Sequence, residues 1–207
     1  MKHTVEQGEH LTRIAFENKF RDPNTVWNDG GNADLRNLRD NPNVLFPGDE
    51  LFLPDWLERQ EDAATGQVHT FVAPAPELHL KLILQDVNGD PITNCDCVLE
   101  IDGVDRTLTT NGDGKLDEDI PIETKTGELR IRGSVYRLAV GNLDPIDKKT
   151  GQRARLANLG YYFGDGSDND DDDFRTAVEE FQCDNGLSVD GDCGPNTQKK
   201  LKALHRC

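Results

Sequence analysis

Residues 178–197 read VEEFQCDNGLSVDGDCGPNT, and this stretch decides how the C-terminal part of the chain is interpreted. Apolar residues recur here and just upstream at the spacing of one helix face: Phe174, Ala177, Val178 and Phe181. This spacing predicts an amphipathic helix. Pro195 is typical of the first turn of a further helix, where proline loses no intrahelical hydrogen bond. Upstream, residues 155–162, RLANLGYY, predict an earlier helix that ends at Gly160.

These signals belong to a C-terminal segment, residues 147–207, that resembles the three-helix peptidoglycan-binding-like domain. The resemblance rests on residues 155–161 and 178–197. It implies ligand contacts at five residues: Tyr161, Tyr162, Asp190, Gly191 and Thr197. The alternative is that these residues form turns and cap helices. The family usually carries a second Asp-Gly and Gly-Pro-x-Thr motif between its first two helices, whereas this chain has residues 164–167 and then an acidic run.

The N-terminal segment, residues 1–57, shows the order strand, helix, helix, strand. Residues 3–8 predict a short strand closed by glycine, and the apolar spacing in residues 11–15 predicts a helix. A second helix is predicted to begin at residues 25–27. A second strand is predicted over residues 50–53, where a following proline stops it.

This order of elements resembles the LysM module, which binds polymers of N-acetylglucosamine such as peptidoglycan and chitin. The matching motifs are residues 4–15, TVEQGEHLTRIA, and residues 41–48, NPNVLFPG. The resemblance implies a glycan-binding face built from two loops, with the residues Gly8, Glu9, His10, Leu11, Asn43, Val44, Leu45 and Phe46. The alternative is that the apolar members of this set are core residues. Residues 28–40 form a longer connection than the family usually has.

Residues 77–146 predict a small antiparallel β-sandwich. Apolar and polar side chains alternate over residues 78–84, LHLKLIL, and turn signals recur every ~8–12 residues. The pattern is similar to the carboxypeptidase-regulatory-like and immunoglobulin-like sandwiches that separate modules in bacterial surface and secretion proteins. Residues 58–76 lack an apolar period and are typical of a linker. The predicted fold class is therefore α+β and multidomain, with a βααβ LysM-like module, a small antiparallel sandwich and a three-helix peptidoglycan-binding-like domain.

Composition and motifs exclude several classes of function. The 207 residues include 23 basic and 39 acidic side chains, a formal net charge of −16, which disfavours binding to nucleic acid or an anionic membrane surface. The five histidines are scattered and fit no metal or nucleophile motif, so we expect no catalytic residue, metal site or cofactor. An EF-hand interpretation of residues 109–120 fails because its last position is Ile120, where a carboxylate is required.

The cysteines allow one disulfide prediction. Five is an odd number, so at least one thiol is free or pairs between chains. Three of them, Cys183, Cys193 and Cys207, lie in the last 25 residues. Because the end of one helix and the turn before the next lie close in a three-helix domain, Cys183 and Cys193 are predicted to pair in oxidised protein.

Together the two resemblances imply a non-catalytic protein that binds peptidoglycan or another glycan containing N-acetylglucosamine. The order of modules also resembles proteins encoded with type VI secretion and related contractile injection systems. Because the N-terminus lacks the apolar core of a signal peptide, we expect synthesis in the cytoplasm and delivery to the periplasm or cell envelope by such a system. The alternative is a structural docking or adaptor protein of the secretion apparatus, in which both modules bind a spike, baseplate, effector or immunity protein.

Overall fold

The computed structural model describes residues 1–55, 62–70, 78–164 and 171–206 of the chain. Within these ranges the chain forms six α-helices and eight β-strands, all of the sheets being antiparallel, so the fold class is α+β as predicted. Much of the predicted linker, residues 165–170 and Cys207 lie outside the described residues. No helix in the described part of the chain combines the length and the apolar character needed to cross a membrane.

The N-terminal segment contains the predicted order of elements with one helix added. Its elements are β1 (Lys2–Thr4), α1 (Leu11–Glu17), α2 (Pro23–Trp27), α3 (Ala33–Leu38) and β2 (Glu50–Phe52). The strands pair antiparallel, with His3 opposite Leu51. The long connection at residues 28–40 forms α3 after a 3₁₀ turn at Gly30–Asn32.

Asn32 explains how the added helix is held. Its buried Nδ2 atom donates to the carbonyl oxygens of Val26 and Phe52, at 2.7 and 2.8 Å. Its Oδ1 atom accepts the backbone N–H of Phe52 at 2.7 Å. This one amide therefore joins α2, the added connection and β2. Beneath them lies a continuous apolar cluster: Val5, Leu11, Ile14, Ala15, Val26, Trp27, Leu35, Leu45, Leu51 and Leu53.

The middle segment forms two antiparallel sheets. Its strands are β3 (Leu78–Ile83), β4 (Asp96–Ile101), β5 (Val104–Thr109), β6 (Lys115–Ile120), β7 (Thr126–Ile131) and β8 (Ser134–Ala139). One sheet pairs β3 with β6, and the other has the order β5-β4-β7-β8. Residues of both sheets, including Leu82, Leu116, Leu99 and Leu129, share one apolar cluster. The alternation predicted in β3 is present, since its even-numbered leucines face this cluster.

The C-terminal segment contains α4 (Lys149–Asn158), α5 (Asp171–Asp184) and α6 (Pro195–His205). They surround a third cluster of buried residues: Leu156, Tyr162, Phe174, Ala177, Val178, Phe181, Cys193 and Leu201. The apolar spacing that predicted α5 therefore marks its buried face. Arg155 of α4 is 1% exposed, and its Nη1 atom donates to the carbonyl oxygens of Asp144 and Gly151, both at 2.8 Å. This buried guanidinium fixes the chain that enters α4 against the helix itself.

Candidate functional site

A turn at residues 190–192 precedes α6, and a buried glutamine organises it. Gln182 of α5 is 1% exposed. Its Nε2 atom donates to Asp190 Oδ1 at 2.8 Å, to the Asp192 carbonyl oxygen at 2.9 Å and to Thr197 Oγ1 at 3.0 Å. Its Oε1 atom accepts the backbone N–H groups of Asp190 and Gly191, both at 3.0 Å. Both polar atoms of the amide are therefore satisfied by this turn and the start of α6, as burial requires.

Gln182 is not among the ligand residues predicted from the sequence. Its position could have marked it, because Gln182 follows Phe181 on the apolar side of an amphipathic helix, where a buried amide needs hydrogen-bond partners within the protein. The Asp-Gly turn eight and nine residues later supplies them. Gln182 thus acts by positioning the two predicted ligand residues Asp190 and Gly191.

Asp190 presents a fixed carboxylate at the surface of this turn. Its Oδ1 atom accepts the backbone N–H of Asp192 at 2.9 Å as well as the amide of Gln182. The hydrogen bond from the Asp192 backbone, followed by that from Gln182, lowers the pKa of Asp190 below its usual value. The side chain is therefore ionised at neutral pH, and it suits a ligand with an ammonium group or amide N–H.

Gly191 has a backbone conformation that explains the choice of glycine. Its φ is +70°, in the left-handed region. A Cβ atom at this position would lie 2.7 Å from Arg175 Cγ and 2.8 Å from Glu179 Oε1. These two side chains form an ion pair on α5, with Nε and Oε1 3.0 Å apart. The turn therefore lies directly against α5, with no room for a side chain.

The other predicted C-terminal ligand residues are more enclosed. Tyr162 and Thr197 are buried, and Tyr162 belongs to the apolar cluster, which favours the structural alternative for both. Tyr161 is half-buried and packs edge-to-face on Phe181, with ring centroids 5.3 Å apart. Burial, followed by the negative charge of Asp184, raises the pKa of Tyr161. The structure thus leaves Asp190, Gly191 and part of Tyr161 accessible.

In the N-terminal segment, the predicted glycan-binding residues form two loops, one after β1 and one before β2. Leu11, Val44 and Leu45 are buried, and the two leucines belong to the core cluster, which favours the structural alternative for them. Asn43 is exposed, and Gly8 has a φ of +84° at the loop after β1.

Two polar residues brace the loop after β1. The Oε2 atom of Glu9 accepts the backbone N–H of Glu6 and lies 2.8 Å from His3 Nε2. His10 caps α1, since its Nδ1 atom accepts the backbone N–H of Arg13 at 3.4 Å. Burial lowers the pKa of His10, which keeps Nδ1 available as an acceptor. Its buried Nε2 atom has no hydrogen-bond partner among the described residues.

The loop before β2 carries Phe46 beside a buried ion pair. Arg39 binds Asp49 with two hydrogen bonds, Nε to Oδ2 at 2.8 Å and Nη2 to Oδ1 at 3.0 Å. Asp49 Oδ2 also accepts the backbone N–H of Phe46 at 2.9 Å. The Phe46 ring lies against two cations, with the Arg39 guanidinium 5.8 Å and the Lys148 ammonium 5.0 Å from its centroid. The aromatic surface that the resemblance assigns to a sugar ring is therefore shared with the chain's own residues.

No group of three or more histidine, cysteine or carboxylate side chains with metal-binding geometry occurs among the described residues. The stretch considered for calcium forms a turn instead. Asn111 Oδ1 accepts the backbone N–H groups of Asp113 and Lys115, at 2.8 and 2.9 Å. Gly114, with a φ of +71°, packs so closely that its Cβ would lie 2.6 Å from the Leu84 carbonyl oxygen.

The predicted bond between Cys183 and Cys193 is not formed in the structure, where both thiols are free. Cys183 is exposed on α5, whereas Cys193 is buried in the C-terminal cluster. Burial raises the pKa of Cys193 to about 11. The bond was predicted for oxidised protein, and for that state it stays a prediction.

Comparison with known proteins gives one match. Residues 152–201 match the family described as putative peptidoglycan binding domain, and this range includes Gln182, the turn at residues 190–192 and Thr197. Searches of curated proteins and of solved structures found no match. The matched range covers about a quarter of the chain. The C-terminal segment is therefore similar, at the level of the family, to domains that bind peptidoglycan.

Proposed function

We propose that this protein is a non-catalytic peptidoglycan-binding protein whose C-terminal segment contacts the cell wall. The observation that carries the proposal is the family match over residues 152–201, a range that includes the turn that Gln182 holds in place. The turn presents an ionised carboxylate beside a glycine that packs against Arg175 and Glu179 of α5. Such a surface suits the amide and ammonium groups of wall peptides better than the apolar face of a sugar ring.

The N-terminal segment is proposed as a second wall-binding unit of the LysM type. Support comes from the two sequence motifs and from the order of strands and helices, to which the connection at residues 28–40 adds α3. Two weak sites on one chain gain apparent affinity by effective concentration, up to about 10²–10⁴-fold when both reach the wall together. Association with a type VI or related contractile injection system, and delivery by it to the periplasm or envelope, is proposed from the order of the modules.

One observation favours a second candidate function, that of a docking or adaptor protein within the secretion apparatus. The loops that the resemblance assigns to glycan contact protein groups of this same chain, among them Lys148 at the Phe46 ring. A surface that already receives a peptide segment is suited to receive one from a spike, baseplate or effector protein. In this alternative the N-terminal segment binds protein and the cell wall is not a ligand.

Co-sedimentation of the full chain with insoluble sacculi tests the proposal. We expect enrichment over an unrelated acidic protein of similar size. Asp190→Asn keeps the Oδ1 acceptor of the turn and removes the charge, so we expect about tenfold weaker binding. Asp117→Asn on the sandwich is the matched control and should bind like the unchanged protein. Absence of enrichment would favour the docking alternative.

The same sacculi test the non-catalytic part of the proposal. The turbidity of the suspension should stay constant after the protein is added, while an added muramidase clears it. Clearing by this protein that disappears when one carboxylate is changed to an amide would show that it is an enzyme.

A further inference from the structure

One short segment of the chain touches both loops of the predicted glycan-binding face. We call residues 141–148, which lie between β8 and α4, the junction segment. Its first residues lie against the loop after β1, and its last residues lie against the loop before β2. The two loops are far apart in sequence from this segment, so the contacts are tertiary and not a result of chain connectivity.

The contact with the first loop is a close backbone approach. A Cβ atom at Gly141 would lie 2.6 Å from the Gly8 carbonyl oxygen and 3.3 Å from His10 Cδ2. Gly141 has a φ of +75°, which also favours glycine. The next side chain, Asn142, accepts a hydrogen bond from Gln7 Nε2 at 3.3 Å, and its carboxamide lies 3.5–3.9 Å from a Cβ built at Gly8.

The chemistry of Asn142 resembles that of the proposed ligand. Its side chain is a primary carboxamide on a methylene group, and the substituent that distinguishes N-acetylglucosamine is an acetamide. Both have a carbonyl oxygen that accepts hydrogen bonds and an N–H group that donates them, with a small apolar carbon attached to the carbonyl. The Asn142 side chain is exposed and its Nδ2 atom donates to the Val140 carbonyl oxygen at 3.3 Å, so the carboxamide lies over Gly8 at the surface of the loop.

The contact with the second loop is electrostatic. Arg39, which binds Asp49 within the N-terminal segment, also donates from Nη1 to Asp147 Oδ1 at 3.3 Å. The ammonium of the neighbouring Lys148 lies over the Phe46 ring, a favourable position for a cation on an aromatic face. The junction segment thus covers part of the Phe46 ring and engages the guanidinium beside it.

Further contacts fix the junction segment to the C-terminal helices. Arg155 and Thr150 both hold Asp144, through its carbonyl oxygen and its carboxylate respectively. Lys202 of α6 pairs with Asp40, next to Arg39, and this hydrogen bond lowers the pKa of Asp40. The N-terminal segment is therefore clamped to the C-terminal segment on the side of its predicted glycan-binding face.

We propose that the junction segment occupies this face as an intramolecular competitor of glycan, with Gly141 and Asn142 against the loop after β1 and Lys148 over the aromatic ring. The inference rests on the proposed role of the N-terminal segment as a second wall site. Glycan binds there only in chains from which the junction segment has moved away. The apparent affinity is then lowered by the fraction of open chains, about tenfold when roughly one chain in ten is open.

The test measures binding of a soluble chitin pentasaccharide to the full chain by calorimetry. Two variants open the contact in different ways: Gly141→Ala inserts a methyl group against Gly8, and Asp147→Lys places a cation beside Arg39. Each should bind the pentasaccharide about tenfold more tightly than the unchanged protein. Glu123→Lys makes the same charge change as Asp147→Lys at an exposed position of the sandwich, so it should leave the affinity unchanged.

Hydrogen exchange of the backbone amides of residues 8–11 reports whether each variant has opened the contact. Faster exchange together with tighter sugar binding is the expected result, and adding Phe46→Ala to either variant should abolish that binding. Faster exchange without tighter binding of the pentasaccharide would overturn the inference. The inference would also be wrong if the unchanged protein bound the pentasaccharide as tightly as the variants. If neither variant exchanges faster, the junction segment does not cover these residues in solution and the inference is again wrong.

Binding to sacculi separates these results from the fate of the proposed function. If the unchanged protein co-sediments through its C-terminal segment but no variant binds the sugar, the inference of an intramolecular competitor is wrong and peptidoglycan binding still stands. Absence of both sacculus binding and sugar binding would contradict both the proposed function and the inference.

Discussion

Gln182 holds Asp190 by two hydrogen bonds that run in opposite directions. Its Nε2 atom donates to the carboxylate at 2.8 Å, and its Oε1 atom accepts the backbone N–H of the same residue at 3.0 Å. One buried amide thus fixes both the backbone and the side chain of an exposed acidic residue. The surface proposed for wall binding depends in this way on a residue that is itself buried.

Replacing Gln182 with leucine should lower the free energy of unfolding of the C-terminal helices by about 2–3 kcal/mol, because backbone N–H groups of the turn lose a buried acceptor. Urea unfolding followed by circular dichroism at 222 nm measures the change. Gln85→Leu, at an exposed amide in the sandwich, should stay within about 0.5 kcal/mol of the unchanged protein. Equal effects of the two substitutions would contradict the role assigned to Gln182.

Alanine substitutions at two glycines of similar conformation should separate the stability cost of backbone strain from that of crowding. Gly186 and Gly191 have φ values of +65° and +70°, but a Cβ atom meets nothing within 4 Å at Gly186 and meets Arg175 at 2.7 Å at Gly191. Gly186→Ala should destabilise by about 1 kcal/mol from the left-handed conformation alone. Gly191→Ala should destabilise by more, since Arg175 and Glu179 must also move. Thermal unfolding of the two variants side by side gives the difference, and equal losses would exclude the crowding at position 191.

The cysteines of the C-terminal segment should react at very different rates. At pH 8 a thiol with a pKa of about 11, such as Cys193, is about a hundredfold less ionised than an ordinary exposed thiol, and burial slows it further. Cys183 is exposed and should be modified first by an aromatic disulfide reagent. Mass spectrometry of digested samples at successive times measures the rate at each of the two cysteines separately. Equal rates of modification at Cys183 and Cys193 would contradict the burial of Cys193.

Acid should destabilise the C-terminal helices through His205. Burial, followed by the charge of Arg155, lowers the pKa of His205 to about 4 from a usual value of 6.5. The unfolded chain therefore takes up the proton first, and stability contributed by the neutral imidazole is lost as the pH falls from about 6.5 towards 4. The decrease in melting temperature between pH 7 and pH 5 should be smaller in His205→Gln. His69→Gln, at an exposed histidine, should show the same decrease as the unchanged protein.

Periodicity and turn residues predicted most of the fold because they are local properties of the chain. The spacing of Phe174 and Phe181 marks the buried face of α5, and Pro195 begins α6 where the sequence indicates. The strand β6 carries a weak sequence signal because its sequence, KLDEDI, is half acidic, although Leu116 and Ile120 still reach the core. Burial of only two side chains is enough for a strand at the edge of a core.

The candidate site was only partly predictable, since its decisive contacts join residues that are distant in sequence. Asp190 and Gly191 follow from the turn motif, but their partner Gln182 lies in the preceding helix. The approach of Gly141 to Gly8 depends on how two segments pack, and no local pattern records it. The bond between Cys183 and Cys193 was predicted for oxidised protein and stays a prediction, and both thiols are free in the structure.

Gly141 lies against Gly8, so the parts of the chain before residue 56 and after residue 140 are in contact. Residues 56–140, which include the whole sandwich, are a long insertion between these two parts. The entropy of closing such an insertion rises only with the logarithm of its length, about 0.6 kcal/mol for each doubling. Selection on the contact between the outer segments therefore places little constraint on what lies between them. We therefore expect a chain in which a flexible linker replaces the sandwich to keep the contact between its two ends.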